Sequence, residues 1–310
     1  MRVVFLGNDL WSVPSLEAVA GSTHDVALVI TRDPRPAGRG GAPRATAVAT
    51  AAREAGLPLL EIATVKQGAG LEAVRQAAPD VLVVVAYGEI LPGDVLDVPT
   101  VAPVNVHFSL LPALRGADPV RRAILEGYAT TGVTTIRMDE GMDTGPVLLQ
   151  VPEAVRDEDD AGSLGARLAS LGGRVLVETL NRLAEGNLEE QPQDHHQATM
   201  APKLRPEEEW IVWSEDAEAV RRRVRALAPD PGARTTFRGR GLKILRVVPG
   251  EPGLSGTAGT VVEVSKHRLV VAAGSGSVAL ETVVPEGRPP MAGEDWARGQ
   301  RPEVGEPFGG

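Results

Sequence analysis

The sequence predicts an α/β fold: a doubly wound domain on a mostly parallel sheet, followed by a small antiparallel β-barrel. Three observations carry this expectation. Over residues 1–186, short apolar runs alternate with segments of helical spacing, the rhythm of a sheet with crossover helices. One run, Val81-Leu82-Val83-Val84-Val85-Ala86, is continuous, β-branched and apolar, which suits a strand covered on both faces. Beyond residue 230 the β-prone runs are short and glycines separate them, as in a small barrel.

In chain order, residues 2–6 form the first apolar run, stopped by Gly7. Residues 14–20 have helical spacing and end at Gly21; residues 26–30 are the second strand. A loop rich in Pro, Gly and Arg follows over 31–43. Helices are expected over 45–55, closed by Gly56, and over 71–78, ended by Pro79. Strands over 81–86, 101–108 and 132–138 follow, with a helix over 119–126 between the last two. Residues 187–206 lack apolar periodicity and read as a linker. A helix over 216–227 then precedes β-prone runs at 235–237, 242–248, 259–264, 268–272 and 277–284, and the tail after Gln300 is expected to be loose. The organisation is thus a Rossmann-like domain over 1–188, a linker over 189–206 and a small OB-like barrel over 207–310, with no internal repeat.

Composition narrows the function classes. With 43% hydrophobic and 24% charged residues the chain can bury a core. No apolar run approaches the length that spans a bilayer, and the start turns polar too soon for a signal peptide. A cytoplasmic protein without a membrane partner is expected. Cysteine is absent, which excludes disulfides, thiolate metal sites and cysteine nucleophiles. A net charge of −9 argues against a strongly basic nucleic-acid binder. The charge is uneven, however: residues 207–310 hold 14 basic and 15 acidic residues, so a local basic face fits there more easily.

The glycines at 7 and 38–41 match neither dinucleotide nor phosphate-loop patterns. His195 and His196 fall in the linker without further ligands at metal spacing, and His24 and His267 have polar neighbours that place them on the surface. His107 differs, because it closes an apolar strand in Val104-Asn105-Val106-His107-Phe108. Asn105 and His107 are two apart, so on a strand both project to one face, at the carboxyl end where such sheets bind ligands. They are either a functional pair or a satisfied core pair. Asp143, in Gly141-Met142-Asp143-Thr144-Gly145, either orients the imidazole or forms an Asx turn. Helix 216–227 places Ala217, Val220, Val224 and Leu227 on one face and Arg221, Arg222 and Arg225 off it. Those arginines are either a phosphate contact or a solvated face balanced by Glu215, Asp216 and Glu218.

Longer motifs sharpen this reading. The stretch Asn105-Val106-His107-Phe108-Ser109-Leu110-Leu111-Pro112, then Arg115-Gly116-Ala117-Asp118-Pro119, then Met138-Asp139-Glu140-Gly141-Met142-Asp143-Thr144-Gly145-Pro146 resembles the core of the methionyl-tRNA formyltransferases. Arg35-Pro36-Ala37-Gly38-Arg39-Gly40, Ala86-Tyr87-Gly88, Ala201-Pro202-Lys203-Leu204 and Pro229-Asp230-Pro231-Gly232-Ala233 extend the resemblance over nearly the whole chain. The resemblance implies formyl transfer from 10-formyltetrahydrofolate to methionyl initiator tRNA, without a metal, by a monomer. It places catalysis on Asn105, His107 and Asp143. Folate binding falls on Ser109, Leu110, Leu111 and Pro112, with pterin contacts near Ala86, Tyr87 and Gly88, and tRNA binding on the C-terminal domain. Candidate tRNA contacts are Arg39, Arg44, Arg221, Arg222 and Arg225. An amino sugar or other small amine as acceptor, or water in a hydrolase, are the alternative reactions, and a non-catalytic tRNA- or folate-binding protein is the alternative class. Three positions depart from the family pattern. Asn8-Asp9 stands where Thr-Pro is common, and Val212 where Asp is. Gly41-Ala42-Pro43-Arg44 replaces a lysine-bearing loop, which weakens phosphate contacts there.

Overall fold

The computed structural model describes residues 1–36 and 42–309. Arg39, a candidate tRNA contact, lies outside them. The chain forms two compact units. The first comprises residues 1–119, 130–154 and 165–202; the second comprises 120–129, 155–164 and 203–310.

The elements of the first half are, in order, β1 (Arg2–Gly7), α1 (Val13–Ala20), β2 (Asp25–Thr31), β3 (Arg35–Pro36), β4 (Pro43–Arg44), α2 (Ala47–Glu54), β5 (Leu59–Glu61), α3 (Gly68–Ala77), β6 (Val81–Val85), α4 (Gly93–Leu96), β7 (Ala102–His107), α5 (Pro119–Leu125), β8 (Thr130–Arg137), β9 (Val147–Ala154) and α6 (Ala161–Glu185). Seven strands make one sheet in the order β5-β2-β1-β6-β7-β8-β9. The pairings from β5 to β7 are parallel, and β8 and β9 close the edge antiparallel. β6 is buried along its whole length, as its unbroken apolar run requires. The chain leaves β1 toward β2 on one side while β6 lies on the other. At such a reversal doubly wound sheets bind ligands beyond the carboxyl ends of their strands, here where Gly7, Val85 and His107 end their runs.

Three local expectations need correction. Residues 161–185, to which the reading above assigns no element, form the 25-residue α6. Its glycines mark close approach: a Cβ on Gly165 would overlap the Trp11 ring, and one on Gly173 would stand 2.7 Å from the Pro14 carbonyl oxygen. His24 is buried, its Nδ1 3.3 Å from the Met1 amine and its Nε2 3.1 Å from Asn181 Oδ1. Burial first, and then the neighbouring terminal ammonium, push its pKa down. The tail after Gln300 is ordered. It returns to pair Phe308 with Phe237, and Phe308 is only 4% exposed.

The second unit contains α7 (Ala217–Leu227), β10 (Ala233–Phe237), β11 (Arg240–Pro249), β12 (Val261–Val264), β13 (Leu269–Ala272), β14 (Ser277–Pro285), β15 (Met291–Ala292), α8 (Gly293–Gln300) and β16 (Phe308–Gly309). Its sheet runs β12-β13-β14-β11-β10-β16, antiparallel throughout, and curls into a half-barrel. Asp216 caps α7 by accepting from the Ala219 amide at 2.7 Å. The predicted apolar stripe faces inward: Val220, Val224 and Leu227 are buried beside Trp213, Phe237, Trp296 and Phe308.

Candidate active site

β7 delivers Asn105 and His107 to one face. Phe108 and Ser109 are buried directly after them, so the strand end is held by packing on the far face. His107 is 5% exposed, and its Nε2 lies 2.8 Å from the carbonyl oxygen of Leu114. A carbonyl accepts only, so this contact assigns the Nε2 hydrogen to the ring. Nδ1 is then the nitrogen that takes up or releases a proton. It faces Asp143 Oδ2 at 3.6 Å.

Asp143 sits at the tip of the loop between β8 and β9 in a left-handed conformation, φ 54°. Its Oδ1 accepts from Asn105 Nδ2 at 3.2 Å and its Oδ2 from the Gly116 amide at 2.8 Å. Gly116 has φ 120°, and a Cβ there would stand 2.9 Å from the Ala201 carbonyl oxygen. Only glycine lets this amide reach the carboxylate. The three residues singled out by strand periodicity and turn chemistry thus converge. Asn105 engages one of its two N–H groups with Asp143 and leaves the other for a ligand.

The segment 109–112 forms the wall beside them. Ser109 Oγ donates to the Ala113 carbonyl oxygen at 2.6 Å. Thr134 Oγ1 donates to the Ser109 carbonyl oxygen at 2.6 Å and accepts from the Leu111 amide at 3.1 Å. Leu110 packs over Gly132, where any Cβ would overlap it. These residues therefore border the strand end with fixed backbone and apolar surface. Across the switch point, Asn8 ties three strand ends together. Its Oδ1 accepts from Thr31 Oγ1 at 3.0 Å and from the Arg32 amide at 2.9 Å, and its Nδ2 donates to the Tyr87 carbonyl oxygen. Arg32 Nη2 donates to the Gly88 carbonyl oxygen at 2.9 Å. Ala86 and Gly88 both have positive φ, 44° and 77°. The Tyr87 ring is buried, and burial, reinforced by Glu89, pushes its hydroxyl up to about 12.

Sequence reasoning missed two side chains. Gln193 Nε2 donates to the carbonyl oxygens of Asp143 at 2.9 Å and Gly145 at 2.6 Å. Its Oε1 accepts from Arg115 Nε at 3.1 Å and Nη2 at 2.6 Å. Gln193 lies in the stretch read as a linker. That stretch is laced to the first unit through Gln191 with Val147 and through Thr199 and Ala201 with Arg115. No local signal marks Gln193, because its partners are main-chain atoms 48 and 50 residues away.

The arginines of α7 all have protein neighbours. Arg225 donates to the carbonyl oxygens of Asp159 and Arg156, each at 2.6 Å. Arg221 pairs with Glu218, and the Arg222 stem packs by Gly127. Arg221 and Arg225 line a cleft of about 440 Å³ together with Asp157, Glu158 and Asp160, carboxylates that oppose a phosphate. Arg44 is exposed on the β3–β4 hairpin opposite Arg35. Among the described residues no helix is long and apolar enough to cross a membrane, and no group of three His, Asp or Glu side chains could hold a metal.

Residues 1–180 match the formyl transferase family, and residues 203–301 match the formyl transferase C-terminal domain. The methionyl-tRNA formyltransferase of Thermus thermophilus is 46% identical over 299 residues, covering 96% of each chain. That of Streptomyces coelicolor is 44% identical over 310 residues, covering 100% of each. Among solved structures, HypX from Aquifex aeolicus in complex with tetrahydrofolic acid shares the fold at a TM-score of 0.67 and 19% identity, over 96% of this chain and 47% of HypX.

Proposed function

The chain belongs to the formyl transferase family, and from that premise we propose that it transfers the formyl group of 10-formyltetrahydrofolate to the α-amino group of methionyl initiator tRNA. The observation that carries the chemistry is the imidazole pinned at Nε2, with Nδ1 turned to the carboxylate that also holds Asn105. An α-amino group ionises near pH ~8, so part of it is a neutral nucleophile at neutral pH. The nitrogen attacks the formyl carbon and forms the new C–N bond. The carbonyl oxygen becomes an oxyanion, met by the remaining N–H of Asn105. The proton lost from the amine passes through the Asp143–His107 pair to N10 of the folate. The C–N10 bond then breaks and tetrahydrofolate leaves.

In this reading the first unit carries the chemistry, with residues 191–201 part of it, and residues 207–310 bind the tRNA, in a cytoplasmic monomer. Residues 109–112 and 86–88 bound the folate site. Arg44, exposed on β4, offers a phosphate contact, as does Arg222. Such contacts position an RNA without reading its sequence. The test is a formylation assay with charged initiator tRNA, free amino sugars and water as competing acceptors. Formyl-methionyl-tRNA should be the main product. Transfer to the sugar, or net hydrolysis, in its place would overturn the reading.

A further inference from the structure

We propose that Gln193 is a positioning residue for the reaction: its carboxamide, held by Arg115, keeps Asp143 in the conformation that aims its carboxylate at His107 and Asn105. The inference rests on the functional reading above, but its geometry is independent of the acceptor. Asp143, at φ 54°, stands in the left-handed region, which side-chain-bearing residues adopt uncommonly although Asp does so more readily than most, so contacts that hold it there fix the loop. Both carbonyls that bracket the tip of this loop, those of Asp143 and Gly145, accept from the one Gln193 Nε2. The amide is itself unable to rotate, because its oxygen accepts from two nitrogens of a buried guanidinium; Gln193 is 8% and Arg115 5% exposed. Arg115 is fixed in turn by main-chain bonds to Thr199 and Ala201. The next residue, Gly116, donates its amide to Asp143 Oδ2. The same short path thus grips Asp143 from its carbonyl side and from its carboxylate side. Glutamine is the residue this arrangement demands: it needs an acceptor for Arg115 and a donor for two carbonyls on one planar group.

Two variants test this in the full chain. Gln193→Glu keeps an acceptor for Arg115 and loses the donors; Gln193→Met keeps the shape and loses both. Each should lower kcat for charged initiator tRNA by about 10- to 100-fold, the scale of a small misplacement of a reacting group, and leave the KM for 10-formyltetrahydrofolate unchanged. The imidazole titration of His107, followed by NMR without any acceptor, should be displaced in both variants. A kcat and a His107 titration like those of the parent in both variants would overturn the proposal. So would a fall in kcat with an undisturbed titration, which would make Gln193 a fold residue only. A parent enzyme inactive on charged tRNA would sink the functional reading instead, and the His107 titration would then decide the role of Gln193 alone.

Discussion

The cluster beside β1 and β6 in the first unit packs mostly aliphatic side chains, while the core of the second gathers four rings. On one face of β1, β2 and β6 the core is Val4, Leu6, Ile30, Leu82 and Val84 with Tyr87, and Phe5 and Phe108 are buried elsewhere in the unit. In the half-barrel, Phe237 lies 5.0 Å from Phe308 and 5.1 Å from Trp296, and Trp213 lies 5.8 Å from Phe308. Polar groups are placed oppositely too. In the first unit they gather at strand ends and aim three side chains. In the second, Arg225, and Arg122 with Glu208, tie the recruited segments 120–129 and 155–164 to residues 203–310. The contrast teaches that substitutions of polar residues should separate by unit: rate in the first, stability in the second.

The largest effect should come from the rings. Phe308→Ala removes a buried side chain from the centre of the cluster and should cost about 3–5 kcal/mol of stability in denaturant unfolding, with turnover of the still-folded fraction little changed. A loss below about 1 kcal/mol would mean that the tail only covers the barrel. Next in size, Asn105→Ala and His107→Ala should each lower kcat by about 10²–10³, and Asp143→Asn by about 10², with melting temperatures near that of the parent. If the melting temperatures collapsed with the rates, the first unit's polar groups would be structural like those of the second.

A smaller effect tests the second unit's ion pair. Arg122 grips Glu208 through two bonds of 2.8 and 3.1 Å, and chiefly for that reason the carboxyl is held at about 2, below its usual 4.5. A depressed folded-state pKa stabilises above the unfolded value and is lost as pH falls. Glu208→Gln should therefore melt lower than the parent at pH 7, and the difference should shrink from pH 4.5 toward 2. A constant difference across that range would place the stabilisation elsewhere. The smallest effect divides the arginines. Arg44→Gln should raise the tRNA KM a few-fold and flatten its salt dependence by about one phosphate contact. Arg225→Gln should lower the melting temperature instead, because its donors are engaged by main-chain carbonyls. A salt-dependent tRNA defect in Arg225→Gln would return it to the RNA-binding face.

What the sequence showed and hid follows from the range of each interaction. Asn105 and His107 were legible because a period of two is a local property, and Asp143 because glycines flank a turn. β6 was legible from its composition alone. α6 was hidden because its glycines look like breakers until the Trp11 ring and the Pro14 carbonyl are seen against them. Phe308 was hidden by a Pro- and Gly-rich tail whose only signal is one ring. The arginines of α7 were correctly placed off the apolar stripe, but a helical face does not say that residues 156 and 159 will supply its partners. Gln193 and Arg115 were hidden for the same reason, since their bonds join positions 78 residues apart.

The lacing of residues 191–201 onto the catalytic loops bears on where this enzyme can be cut. The family match in the first half ends at residue 180, whereas the compact unit runs on to residue 202. A module excised at the earlier boundary for transfer into a fusion protein would keep Asn105, His107 and Asp143. It would still leave the carbonyls of Asp143 and Gly145 to solvent and the Arg115 guanidinium without its amide. Such a fragment would inherit the reaction's chemistry but not its aim. A cut at Pro202 would keep that lacing, yet it would strip segments 120–129 and 155–164 of the residues 203–310 they pack with, so no single cut frees the first unit whole.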